Sequence, residues 1–289
     1  MVGRVAALSL HRGLVVETEL DPRTQPFLDH HRIDGTAVLP GVMGLEAMAE
    51  AARVAFPELR VAALEDVSFH APFKFYRDEP RTVTVRVRYD ADGADVLARC
   101  ALEGSRTLVG RDAPEVTVHF TGTVRLTADA LAHRPEREVP APSGGIVGAG
   151  AIYKTYFHGP AYQVLAEAWR HQGQVAGRFA RPLPANHEPA ERATQVAPRL
   201  VELAFQTAGL AEIAASARMG LPFGFRRLEL AGAADGEVES IALARPAGDG
   251  VFDVEVADAR GRLVLALEGY RTAALPGVVA GDAFAPLKA

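Results

Sequence analysis

The stretch FLDHHRIDGTAVLPGVMGLEAMAEAA, residues 27–52, decides how the chain is read. It sets two histidines, a glycine and a proline ahead of a segment with helical period. Pro40 suits the first turn of a helix, where its missing N–H costs nothing. Beyond it, Glu46, Glu50 and Arg53 recur at i, i+4 and i+7 and predict one narrow polar stripe. The rest of the circumference is Val42, Met43, Gly44, Leu45, Ala47, Met48, Ala49, Ala51 and Ala52. A helix so apolar, spanning roughly Pro40–Ala55, is enclosed on most sides. Its N-terminus carries unpaired N–H groups and the positive end of the macrodipole. Gly41 and Val42 are therefore candidate donors to a carbonyl oxygen that gains negative charge. His31, just ahead of that end, is a candidate base, since the dipole favours neutral imidazole. The plainer alternative makes His30 and His31 loop residues that satisfy backbone groups.

A second helical period covers PRLVELAFQTAGLAEIAASA, residues 198–217. Glu202 and Gln206 are four apart and share a face. Around them sit Leu200, Val201, Leu203, Ala204, Phe205, Ala208 and Leu210. If this helix is enclosed as the first is, burial raises the carboxyl pKa of Glu202 and keeps it a proton donor near neutrality, with Gln206 to orient it. The alternative is a solvated stripe of Arg199, Glu202, Gln206 and Gly209.

Around the two helices, period-2 patterns predict strands at 13–20, 81–90, 94–104, 115–127, 174–183, 236–246, 250–259 and 261–272. Asp258 to Gly261 reads as a hairpin turn. The Pro- and Gly-rich segment 132–150 reads as a linker. Its GGIVGAG run follows coil rather than a strand, against a dinucleotide loop. The expected division is 1–131, linker 132–150, 151–278, and a tail 279–289 that is linker-like or frayed. Each half then holds strands and one dominant apolar helix, which predicts a sheet wrapped around a buried helix, twice over.

Composition narrows the function. The 289 residues suit one large domain or two smaller ones. A net charge of −5 gives no global basic field for nucleic acid. One cysteine, Cys100, excludes an intrachain disulfide and a cysteine-built zinc site. No metal is expected at His30 and His31, because adjacent residues in an extended chain point apart. The first twenty residues lack the pattern of a signal peptide, and no run reaches membrane-spanning length. A cytoplasmic location without membrane contact is the expectation. Both ends read as linker, which points to a piece of a larger protein. A base in one half and an acid in the other suggest removal of H and OH from adjacent carbons, that is, β-elimination of water from a 3-hydroxyacyl thioester.

Three motifs then show a resemblance. HRIDGTAVLP resembles the HxxxGxxxxP signature of polyketide synthase dehydratase domains, with His31, Gly35 and Pro40 in register. HGPAYQ (158–163) resembles their second motif, YGPxF, and ELAFQ (202–206) their third, DxxxQ or DxxxH. FLDHHRIDG, VLPGVMG, HFTGTVRL, YFHGPAYQVL and FQTAGL are most similar to dehydratases of iterative enediyne-type and related polyunsaturated-chain synthases. The resemblance covers nearly the whole chain. It implies an α+β double hotdog with one active site between the halves, His31 as base on the α-carbon and Glu202 as acid on the β-hydroxyl. It further implies no metal or redox cofactor and delivery on the phosphopantetheine arm of an acyl carrier protein; Pro40, Gly41, Val42, His158, Tyr162 and Gln206 are the candidate residues about the substrate. Neighbouring synthase domains are the other expected partners, and a homodimer is left open. Two departures stand out. Glu202 replaces the usual Asp, and His158 replaces the usual Tyr while Tyr162 replaces the Phe, so either His158 or Tyr162 could meet the substrate hydroxyl. The rivals are a hydratase or double-bond isomerase on the same fold and a non-catalytic carrier-binding scaffold. A serine thioesterase is disfavoured, since there is no GxSxG elbow.

Overall fold

Val83, Val85 and Val87 are buried while Arg86 and Arg88 point outward, so one face of that strand is dry and needs a partner. The partner is a helix. In the computed structural model, which describes all residues except 10, 12, 107–112, 131–135, 143, 232–238, 280, 281 and 289, two compact units form, each with one such helix.

The first unit comprises residues 1–130 and 185–196. Its elements are β1 (Arg4–Ser9), β2 (Gly13–Leu20), α1 (Pro26–Asp29), β3 (Arg32–Ile33), β4 (Thr36–Val38), α2 (Gly41–Arg53), β5 (Arg60–Phe69), β6 (Lys74–Phe75), β7 (Arg81–Asp92), β8 (Asp95–Arg106) and β9 (Glu115–Thr127). Antiparallel pairing runs β1-β2-β7-β8-β9-β5. Helix α2 packs on β5, β7, β8 and β9. A small sheet, β3-β4-β6, leads into α2.

The second unit comprises 131–184 and 197–289. It contains β10 (Ile146–Gly148), α3 (Ala149–Ile152), β11 (Leu165–His171), β12 (Gln174–Phe179), α4 (Pro198–Ser216), β13 (Gly220–Leu230), β14 (Ser240–Gly248), β15 (Val251–Asp258) and β16 (Leu263–Ala274). The order is β13-β16-β15-β14-β12-β11-β10, again antiparallel. Helix α4 packs on β11 to β16. The hotdog arrangement therefore occurs twice, as the sequence predicts. The β15–β16 turn is the expected one: Gly261 N–H donates to Asp258 O at 2.9 Å, and Gly261 has φ +81°.

Three boundaries differ from the sequence reading. Residues 132–135 and 143 of the expected linker lie outside the described residues. The rest is not all linker, since 146–148 pairs with β11 as an edge strand. Segment 185–196 groups with the first unit although it follows β12. The tail is not frayed where it is described: Phe284 and Leu287 are buried, and Arg170 Nη1 donates to Leu287 O at 3.2 Å. The expected polar stripe on α2 is also broken. Glu46 is wholly buried, and its carboxylate accepts the N–H groups of Gln195 at 2.7 Å and Val196 at 3.0 Å.

Candidate active site

Asp34 and Gly35 both have positive φ, 50° and 77°, and join β3 to β4 as a two-residue turn of type I′. That turn folds HRIDGTAV into a hairpin and brings Val38 back to His31. Val38 N–H donates to His31 O at 3.0 Å, and His31 Nδ1 lies 2.8 Å from Val38 O. A carbonyl only accepts, so Nδ1 carries the proton and Nε2 keeps the lone pair. His31 is 8% exposed. The ring is thus held in the tautomer a base needs by a backbone group seven residues away. His30 caps the end of α1 and is half-buried.

Pro40 stands at the N-cap rather than inside α2, with its carbonyl accepting from Met43 and Gly44 at 3.0 and 3.1 Å. The N–H groups of Gly41 and Val42 precede those bonds and belong to the helix's unsatisfied end. At Gly41 a Cβ would stand 3.1 Å from the Phe69 ring, so glycine permits the close approach.

In the second unit, Glu202 and Gln206 are 6% and 3% exposed, which rules out the solvated stripe. Gln206 Nε2 donates both to Tyr162 O and to Glu202 Oε1, each at 2.9 Å. Its Oε1 accepts from the Tyr153 hydroxyl at 2.9 Å, and that hydroxyl accepts from Leu165 N–H at 2.7 Å. Burial pushes the Tyr153 phenol well above its ordinary range, against the Leu165 bond and with help from the Glu202 charge, so it stays a donor. Tyr156 OH donates to Gln206 O at 2.9 Å, in space that Gly209 leaves open. His158 Nε2 lies 3.2 Å from Glu202 Oε1, stacked on Phe157 at 4.4 Å between ring centroids.

The second unit thus brings Glu202, Gln206, His158 and Tyr162 together, and the first brings His31, Pro40, Gly41 and Val42 together. Tyr153 and the Val38 carbonyl are the parts that sequence reasoning missed. Tyr153 lies near the second motif, but nothing local marks it. The DG turn marks the hairpin that places Val38.

Comparison with known proteins follows this geometry. Residues 1–98 match the family model for the polyketide synthase dehydratase domain, and residues 151–282 match that for the polyketide synthase dehydratase N-terminal domain. The chain belongs to the polyketide synthase dehydratase domains. Such domains are hydro-lyases acting on 3-hydroxyacyl thioesters. The chain is 29% identical over 284 residues to the pikromycin polyketide synthase component PikAII of Streptomyces venezuelae, covering 93% of this chain and 7% of that protein. It therefore spans a small part of the relative's length. The dehydratase domain from the CurF module of curacin polyketide synthase superposes with TM-score 0.76 at 18% identity, covering 95% of this chain and 98% of that one. The CurK dehydratase of the same synthase, at 18% identity, has TM-scores of 0.75 and 0.73 in two inactive mutants. One carries asparagine for aspartate and the other phenylalanine for histidine; each covers 96% of this chain, and 99% and 97% of its own.

Proposed function

We propose that this dehydratase domain removes water from a 3-hydroxyacyl thioester carried by an acyl carrier protein, with His31 as base and Glu202 as acid. The observation that carries the reading is the Nδ1 contact to Val38 O at 2.8 Å, which puts the proton of the neutral His31 ring on Nδ1 and makes Nε2 the basic nitrogen. Nε2 takes the α-proton, and the electrons of that C–H bond move towards the thioester carbonyl. The N–H groups of Gly41 and Val42 stabilise the oxygen that gains charge. The C–O bond to the β-hydroxyl then breaks, the double bond forms between the α and β carbons, and Glu202 protonates the departing oxygen to give water. Gln206 and His158 both address Oε1 of Glu202 and so orient the carboxyl that delivers the proton. His158 acts through Glu202 and Tyr162 through its carbonyl on Gln206, which supports His158 over Tyr162 in the place of the family's tyrosine. The inactive CurK mutants support a histidine and a carboxylate as the acting pair.

The chemistry asks for an imidazole, a carboxyl and two amides, so the reading includes no metal or redox cofactor. Its partners are the carrier protein, adjoining synthase domains and a second copy of the chain. Placement within an iterative enediyne-type or polyunsaturated-chain synthase rests on the wording of the motifs around His31 and His158. A hydratase or isomerase would share the same base. The test is mass spectrometry of a 3-hydroxyacyl carrier protein incubated with the domain. Loss of one water per carrier is expected; an unchanged mass, or release of the free acid, overturns the reading.

A further inference from the structure

A second polar cleft lies in the first unit, outside the machinery described above. It has a volume of about 220 Å³ and is lined by Lys74, Tyr76, Arg81, Arg106, Glu115 and His119, among others. Three cations thus face one carboxylate. Arg81 is fixed in place: its guanidinium lies 4.2 Å from the Phe73 ring centroid, and Nη1 donates to Lys74 O at 2.5 Å. No carboxylate of the described residues bonds to it. Burial, and then the neighbouring Arg106 charge, hold its pKa below the usual arginine value. A half-buried guanidinium beside a second cation is costly by itself, and an anion between the two relieves it.

His119 supplies an independent observation. Left by the sequence reading as an ordinary strand residue, it is 5% exposed. Its Nδ1 donates to Ala71 O at 3.0 Å, which leaves Nε2 an acceptor, and that buried nitrogen meets no hydrogen-bond partner among the described residues. Burial holds the ring below the usual histidine pKa, which favours the neutral form. Buried polar atoms are rarely left so. Gly104 is what lets these groups meet. A Cβ there would stand 3.0 Å from His119 Nε2 and 3.2 Å from Arg81 Nη2.

We propose that this cleft binds inorganic phosphate or a phosphate monoester in a protonated form, an anion that accepts from Arg81, Arg106 and Lys74 and gives an O–H to His119 Nε2. The donor requirement is what makes the ligand specific. Sulfate has the same shape and at least the same negative charge but no O–H near neutral pH, and a phosphodiester has none either. Lys74 is paired with Val38, the residue that holds His31, so the cleft adjoins the strand behind the base without including it.

The test is isothermal titration of the intact domain at pH 6 with inorganic phosphate, sulfate, 4′-phosphopantetheine and pantetheine. Phosphate is expected to bind at least ten-fold more tightly than sulfate, and pantetheine, which lacks the phosphate, not at all. 4′-Phosphopantetheine binding more tightly than phosphate assigns the site to an ester; equal affinity assigns it to the free anion. R81Q with R106Q should weaken phosphate at least ten-fold, and H119F should erase the preference over sulfate. Circular dichroism confirms that the variants fold, and H119Q, which keeps an acceptor, should restore the preference. Sulfate binding as tightly as phosphate to the native protein, or phosphate affinity unchanged in the double arginine variant, overturns the proposal. Both results are independent of whether the domain dehydrates a thioester.

Discussion

His31 and Glu202 are held in different ways. The histidine is set by one backbone carbonyl, at 2.8 Å from Nδ1. The glutamate is set by side chains, Gln206 at 2.9 Å and His158 at 3.2 Å. H31A should leave the fold intact and lower dehydration of a 3-hydroxyacyl thioester by about 10²–10⁴, the range of general base catalysis. E202Q keeps the volume but has no proton to deliver, so kcat should fall steeply with little change in KM. E202D restores the usual family acid and shortens its reach, so partial activity is expected. Q206A should cost less than E202Q, because the amide only orients the acid. Single-turnover mass spectrometry of all four variants checks the ranking, and near-native turnover by E202Q would move the acid to His158. Much of this site was legible. The spacing around His31 and the i, i+4 pairing of Glu202 with Gln206 are local patterns. The approach of His158 to Glu202 joins residues far apart in the chain through a loop, and no local period encodes it.

At the scale of elements, the two apolar helices and most long strands were visible as periods. Eight strands were not, four of them the two- and three-residue β3, β4, β6 and β10. β5 reads RVAALEDVSF, apolar at consecutive positions and interrupted by a bulge between Glu65 and Ser68. β13 contains Pro222 and Gly224, which suppress a strand reading, and its register shifts there. β11 is buried at paired rather than alternating positions, and β1 is exposed along its whole length, so neither shows a dry face. Helix α2 carries its own puzzle, a glycine in its interior. Alanine at position 44 would gain about 1 kcal/mol of helix propensity. A Cβ there would overlap the Phe120 ring, which is buried and braced edge-on by Phe69 at 5.1 Å. Overpacking typically costs about 1–3 kcal/mol, so the clash wins. G44A should therefore lower Tm by a few degrees in thermal unfolding, whereas a rise would mean that the ring has room to move.

Across the whole molecule, the chain passes between its two units at 130/131, 184/185 and 196/197. The sequence reading set the division after residue 131, followed by a linker, and had no crossing near 184 or 196. Segment 185–196, ANHEPAERATQV, has few apolar residues and no period, so nothing local says which core it joins. Its anchors are long-range. Gln25 exchanges two hydrogen bonds with Glu188, Arg53 Nη1 donates to Gln195 at 2.6 Å, and the buried Glu46 carboxylate caps Gln195 and Val196. Burial first, and then the charge of Glu50, push Glu46 up to about 8, against the two amide bonds that lower it. The folded chain therefore keeps a proton that the unfolded chain has released above pH 4.5, the ordinary glutamate value. Stability from this group is full below that pH, declines as pH rises towards 8, and levels off above it. Thermal unfolding from pH 5 to 9 should show that decline, and E46Q, which does not titrate, should flatten it. The amide cannot accept both N–H groups through two oxygens, so one is left unpartnered at a cost of about 1–3 kcal/mol. The segment should then open more often than the unit as a whole. Trypsin cleavage after the exposed Arg192, followed by mass spectrometry under native conditions, should be faster in E46Q than in the native chain. If the pH slope and the cleavage rate both match the native protein, Glu46 is a buried carboxyl that neither titrates in this window nor holds the segment.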